Sequence, residues 1–240
     1  MSPTLETTVG QWVAQRPNLA RVFEKLGIDY CCGGKQPLEQ ACRAKNLDPA
    51  TVLAMLDAGD GGPNTGTVDA AAMSLTELTD HIERTHHAYL KSELPRLAPL
   101  VDKIAARHSD KNPRLAQLAN VYRGLRAEME AHMVKEEQIL FPLIRQIDRG
   151  AGNGGSACGD IANPIRVMEA EHQQAGDALA QMREMTDDFS TPAGGCNTYR
   201  AVMHSLAELE ADMHRHVHKE NNVLFPRALA AAARTEPISV

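Results

Sequence analysis

Residues 132–142 read HMVKEEQILFP and residues 216–226 read HVHKENNVLFP; the two stretches align without a gap and share His, Lys, Glu, Leu, Phe and Pro. Six matches in eleven exceed what two unrelated helix ends share by chance. Each copy holds a His-x-x-x-Glu pair, His132 with Glu136 and His216 with Glu220. Residues four apart on an α-helix lie about 40° apart around the axis and about 6 Å along it, so imidazole and carboxylate can reach one point. A single pair of this kind is common as a solvated contact on a helix surface. Its duplication favours two helices that turn the same chelating face toward a shared interior.

The flanking sequence supplies the other walls of that interior. Apolar residues recur at helical spacing over roughly 75–108, 113–148, 163–187 and 197–232, broken by SDKNP, DRGAGNGGSACGD and FSTPAGG. Four such helices with short breaks predict an antiparallel four-helix bundle, with a kink expected at Pro95 of the first. The first helix offers His81, His86 and His87 in DHIERTHHAYL, and the third offers His172 in VMEAEHQQAG. Every helix can therefore point a ligand into the core, where the metal sites of bundles are built. His108 and His204 lack partners at site spacing, and His214 and His218 are offset from His216 by two residues, so these four read as structural or exposed.

Four imidazoles and two carboxylates without a thiolate suit non-haem iron better than a Cys-rich structural zinc site. If Glu136 and Glu220 each bridge two ions, histidine nitrogens, carboxylate oxygens and a bridging oxo or hydroxo group fill all but about two of roughly twelve positions. Those two are open to a small diatomic ligand.

From Thr7 to about Ala58 the pattern changes to short amphipathic helices, such as NLARVFEKLG closing at Gly27 and DPATVLAMLDA opening on Asp48. The stretch GDGGPNTGT that follows reads as a linker. The expected organisation is all-α: a helical module at 1–58, a linker at 59–72 and the bundle at 73–240. Nine residues of that composition span roughly 15–18 Å, enough for the module to approach the bundle surface and to leave it.

Composition narrows the function classes. The chain has 240 residues, with 25 Lys and Arg against 31 Asp and Glu. The scattered basic residues argue against nucleic acid as a partner. No apolar run is long enough to cross a bilayer, so no membrane partner is expected. Five cysteines without framework spacing, and a start lacking the pattern of a signal peptide, point to a reducing, cytoplasmic setting.

At these residues the chain resembles a known family. The bundle is similar to hemerythrin-like domains, and its union with the DYCCGGK module (residues 29–35) resembles the RIC (repair of iron centres) di-iron proteins of the ScdA/YtfE type. The resemblance runs from about Thr7 to Ala230 and rests on DYCCGG, HMVKEEQILFP, MEAEHQQAG and ENNVLFPRAL together. It implies two iron ions held by His87, His132, Glu136, His172, His216 and Glu220, the glutamates bridging. His87 is preferred to His86 because it stands eight residues before the Pro of ELPRL, as the family's ligand does before its own. Glu128 and Glu171 match family acids near the irons and are expected to serve proton delivery or iron passage. Oxygen-carrying hemerythrin has a second histidine four residues after the first on its third helix; here Gly176 stands there. The missing ligand argues against a closed, reversible oxygen store. The resemblance further implies a stress role in restoring iron-sulfur clusters damaged by nitric oxide or peroxide, with nitric oxide bound or reduced at the di-iron centre.

Cys31 and Cys32 are too strained as neighbours for a structural disulfide, and six other ligands already account for the bundle site. Gly33 and Gly34 permit tight turns and close approach of another molecule, and Lys35 would favour thiolate. Buried packing at a turn is the plain alternative; reactive or iron-handling thiols that serve the bundle are the preferred reading. Cys42, Cys158 and Cys196 have no such context. The expected partners are nitric oxide or O2 as small ligands and damaged iron-sulfur proteins as clients, and homodimer formation is left open. Competing functions are a nitric oxide or oxygen scavenger or sensor without turnover, and a zinc hydrolase.

Overall fold

The computed structural model describes residues 3–59, 68–150 and 161–235, so residues 60–67 of the expected linker and Cys158 lie outside the described part. The described secondary structure is helical apart from one isolated bridge between Thr8 and Pro37. The chain divides into two compact units, one of residues 81–142 and 162–213, the other of residues up to 80, 143–161 and 214 onward.

The first unit is built on α6 (Ala88–His108), α7 (Arg114–Lys135), α9 (Ala162–Met185) and α10 (Asn197–Lys219), the last as far as Met213. Each carries a buried seam in alternating steps of three and four: Leu90, Leu94, Leu97, Val101 and Ile104 on α6, with Leu115, Leu118, Tyr122, Leu125 and Met129 on α7. This spacing keeps one face of a helix toward its neighbours, and each fully buried side chain contributes about 1.5–3 kcal/mol. Polar contacts fix the order of the helices. Asp102 pairs with Arg123 while His87 pairs with Glu137, so α6 and α7 run antiparallel. Arg114 with Asp187 and His132 with Glu171 orient α9 against α7 in the same way. Arg183 joins Glu210 on α10, and Arg96 with Ser205 and His86 with Asp212 bring α10 back to the first helix. The four helices thus form a closed antiparallel ring. The α-helix continues through Pro95 and Pro99; the departure from α geometry comes earlier, in a π turn at Glu83–His87.

The second unit contains α1 (Val9–Gln15), α2 (Ala20–Leu26), α3 (Leu38–Ala44) and α4 (Pro49–Gly59) around Trp12, Leu19, Phe23, Tyr30, Leu38 and Leu56. Thr8 and Gln11 form a capping box at the start of α1, and Gly27, at φ 63°, closes α2 in the left-handed conformation a glycine adopts without strain. The unit also holds α5 (Leu75–Ile82) as far as Asp80, most of α8 (Phe141–Asp148) and α11 (Phe225–Thr235). Arg145 on α8 pairs with Asp80, Asp148 accepts the Thr76 N–H at 2.9 Å, and Arg227 on α11 donates to the carbonyls of Ala70 and Met73. Asn222 donates to the carbonyls of Tyr30 and Cys31 at 3.3 and 3.0 Å, which seats the cysteine loop on the π turn at Glu220–Leu224.

Candidate metal centre

The seams of the helices change character where they meet the duplicated motif. On α7 the buried series 118, 122, 125, 129 continues to His132 and Glu136; on α9 His172 falls between Met168 and Ala175; on the first helix His87 precedes Leu90. Histidine and glutamate therefore occupy positions that elsewhere carry apolar side chains. All six proposed ligands are at most 1% exposed. A buried carboxylate or imidazole of this kind is costly without a partner of opposite or complementary character.

Three π turns lie at these positions among the described residues, at Glu83–His87, Glu136–Leu140 and Glu220–Leu224. In the second and third, the N–H of Phe141 and of Phe225 donates five residues back, to the carbonyls of Glu136 and Glu220. Pro142 and Pro226 follow directly, without an N–H and with a ring that would strike the carbonyl four residues back in α geometry. The wide turn accommodates the proline and sets the glutamate at its start. Such π bulges are frequent at functional sites.

In the first unit, Glu136 Oε2 lies 3.3 Å from His87 Nε2 and 3.2 Å from His132 Nε2. His172 Nε2 lies 3.0 Å from His132 Nε2. The far nitrogens are held by further carboxylates: His87 Nδ1 is 2.8 Å from Glu137 and His132 Nδ1 is 2.8 Å from Glu171. Lys91 grips Glu137 and Lys135 grips Glu171. Burial raises both carboxyls, but the hydrogen bonds from lysine and histidine outweigh it and leave each below the ordinary glutamate value. Each carboxylate is thus an anion placed to accept from Nδ1, and the Nε2 atom of each ring faces Glu136. That carboxylate–histidine arrangement is the one that orients imidazoles for metal. A cation fits this donor set: two imidazole nitrogens converge on one oxygen of a fully buried carboxylate. The second unit holds the other motif copy, with His216 Nε2 3.0 Å from Glu220 Oε1.

The remaining histidines are sorted by their contacts. His86 is turned away from the seam, its Nδ1 3.0 and 3.1 Å from the two oxygens of Asp212, and the ring of His81 packs edge-on against it. His204 is exposed beside Glu208. His218 is buried, donates from Nδ1 to the Tyr30 carbonyl at 3.2 Å and is pushed down to about 4, chiefly by burial. Glu128 and Glu171 line one cavity of about 160 Å³, with Met129, Ala131, His132, Lys135 and Gln174.

The cysteine loop departs from its expected character. Cys31 is buried rather than exposed, and its thiol is pushed well up, first by the hydrogen bond with Cys32 and then by burial, with Asp29 adding to both. No thiolate is favoured at Cys31. The close approach that the glycines permit is made by the chain itself: a Cβ on Gly34 would lie 2.4 Å from Asn222 Oδ1, and one on Gly10 would lie 2.2 Å from it. Neither Cys31 nor Cys32 forms a disulfide.

Residues 78–228 match the hemerythrin HHE cation binding domain, and residues 5–60 match ScdA_N, a domain of unknown function (DUF542). The chain is 40% identical over 222 residues to the iron-sulfur cluster repair protein YtfE of Enterobacter sp. (strain 638), covering 92% of this chain and 96% of that one. It is 38% identical to the protein of the same name from Escherichia coli O157:H7 over the same shares. Against that of Musicola paradisiaca (strain Ech703), identity is 36% over 228 residues, 95% of this chain and 98% of the relative.

Proposed function

This chain belongs to the iron-sulfur cluster repair family in which a ScdA_N module accompanies a hemerythrin HHE domain, and on that premise we propose that it is a cytoplasmic non-haem di-iron protein that restores damaged iron-sulfur clusters under nitrosative or oxidative stress. The residues that would hold iron are His87, His132, Glu136, His172, His216 and Glu220, the ligand set the resemblance implies, in which the two glutamates would be the bridging carboxylates. The observation that carries this reading is Glu136, a fully buried carboxylate approached by the Nε2 atoms of two imidazoles whose Nδ1 atoms are held by Glu137 and Glu171. Iron bound there supplies a Lewis acid and one-electron chemistry for binding or reducing nitric oxide.

The chain's own residues do the rest. Glu137 and Glu171 keep the Nδ1 protons in place, and Lys91 and Lys135 keep those carboxylates ionised and aimed. The apolar seams hold bulk water away from the ligands, while a cavity with Glu128, Lys135, Glu171 and Gln174 in its lining lies beside His132. Glu128 and Glu171, on its lining, pass protons or iron. Cys31 and Cys32 serve as iron-handling thiols on the module.

The test is reactivation of a nitric-oxide-treated [4Fe-4S] dehydratase by iron-loaded wild type and by Glu136→Ala. Recovery with wild type alone is the expected result, and equal recovery without the bundle iron would overturn the assignment. Anaerobic addition of nitric oxide to the reduced protein separates turnover, which releases N2O, from binding alone.

A further inference from the structure

The loop that carries Cys31 and Cys32 gathers three donor atoms of a second kind. Asp29, Cys31 and Cys32 each offer one ligand atom within 4.8 Å of the other two. The sulfurs of Cys31 and Cys32 lie 3.8 Å apart, and Asp29 Oδ1 lies 3.1 Å from Cys31 Sγ. A disulfide needs sulfurs about 2.05 Å apart. Two thiolates on one tetrahedral ion, with metal–sulfur bonds of about 2.3 Å, sit about 3.8 Å apart. The observed spacing is that of the hydrogen bond between the two thiols, and it is also the separation two thiolates take on one ion, so binding would need no rearrangement of the sulfurs.

The loop is also held in that shape. Asp29 Oδ1 accepts the N–H groups of Cys31 and Cys32 at 2.9 and 3.0 Å, and Oδ2 accepts that of Gly33 at 2.8 Å. Asn222 fixes the carbonyls of Tyr30 and Cys31 from the other side. Two neighbouring thiols are therefore presented on one face of a pinned turn, Cys31 from within and Cys32 at the half-buried rim.

We propose that Asp29, Cys31 and Cys32 form a metal site of their own, for one thiophilic divalent ion of the Zn(II), Fe(II) or Cd(II) class. Binding forms two metal–sulfur bonds and releases the two thiol protons to solvent, with no change of oxidation state. Three protein donors leave a fourth position for water or for a donor brought by another molecule, which suits exchange better than storage. The site is independent of the bundle donors, which include no thiolate, and it stands whichever ion the bundle takes.

The experiment is a titration of Cd(II) into the full-length protein after its bundle site has been filled with iron. Sulfur-to-cadmium charge transfer in the ultraviolet difference spectrum reports thiolate ligation alone. Wild type should saturate at one Cd(II) per chain with such a band, Cys31→Ser and Cys32→Ser should lose it, and Asp29→Asn should bind at least tenfold more weakly. Bound Cd(II) should also slow alkylation of Cys32, read by mass spectrometry on the wild-type chain, where no variant can misfold. No band in wild type, an undiminished band in Cys32→Ser, or unchanged alkylation would overturn the proposal.

Discussion

The two copies of the repeat agree at the buried His, Glu, Leu and Phe positions and differ most where one copy is exposed and the other meets the cysteine loop. His132, Glu136 and Phe141 match His216, Glu220 and Phe225, and all six are buried. Two positions after the histidine the first copy has Val134, 46% exposed, where the second has His218, bound to the Tyr30 carbonyl. Six positions after it the copies have Gln138 and Asn222, and Asn222 holds the cysteine loop. Seven positions after it Ile139 is 55% exposed and Val223 is 4% exposed. The second copy carries the same buried His and Glu as the first and also seats the cysteine loop, so a duplicated motif carries two separate sets of constraints.

If the inner faces are equivalent, Glu136→Ala and Glu220→Ala should each lose more than half of the bound iron while helix content survives. Iron per chain and circular dichroism on the same sample check this. A loss confined to one copy would break the equivalence. The next effect is smaller. Glu137→Gln and Glu171→Gln leave every ligand in place but loosen the Nδ1 partner of His87 or His132, and each should weaken iron affinity about 10–100-fold, read by chelator competition.

The outer faces should respond oppositely. Asn222→Ala removes two hydrogen bonds to the cysteine loop and should cost about 1–3 kcal/mol in denaturant unfolding, with faster amide exchange in residues 28–36. Gln138→Ala, at the matching position, should stay within about 0.5 kcal/mol. Equal costs would mean that the second copy has no docking role.

The smallest effect concerns the helix that follows the first copy. Asp148 caps α5 through Thr76; burial raises its carboxyl, but the hydrogen bonds from Thr76 and Leu75 prevail and hold it below the ordinary 3.8. A lowered value in the folded state means that its stabilisation is present above that pH and lost as the pH falls through the folded value. Asp148→Asn should cost about 0.5–1 kcal/mol at neutral pH and flatten the acid limb of stability.

Much of this was legible in the sequence, for identifiable reasons. The continuous helical runs Leu75–His108, Arg114–Asp148, Ala162–Met185 and Asn197–Thr235, three of them with a π turn inside, begin and end close to the expected bounds because Gly- and Pro-rich breaks act locally. The choice of His87 over His86 came from the resemblance and not from spacing; in the structure His87 lies in step with Leu90, Leu94 and Leu97, while His86 meets Asp212. Two of the three π turns had a signal as well, a proline six residues after Glu136 and after Glu220 inside a helical pattern. Glu137 was out of reach. Its role depends on how α6 and α7 are rotated against each other, which no local pattern carries. The seat of the cysteine loop was hidden likewise: Gly10, Gly34 and Asn222 are far apart in sequence, and each is unremarkable until the backbones meet.

The central claim is that the two His-x-x-x-Glu pairs, with His87 and His172, hold two irons. Metal content of the full-length protein from its native host, measured with its optical spectrum, tests it most directly. The account predicts two irons per chain and the near-ultraviolet absorption of an oxo-bridged diferric pair, whereas zinc, or a single ion without that absorption, would contradict it.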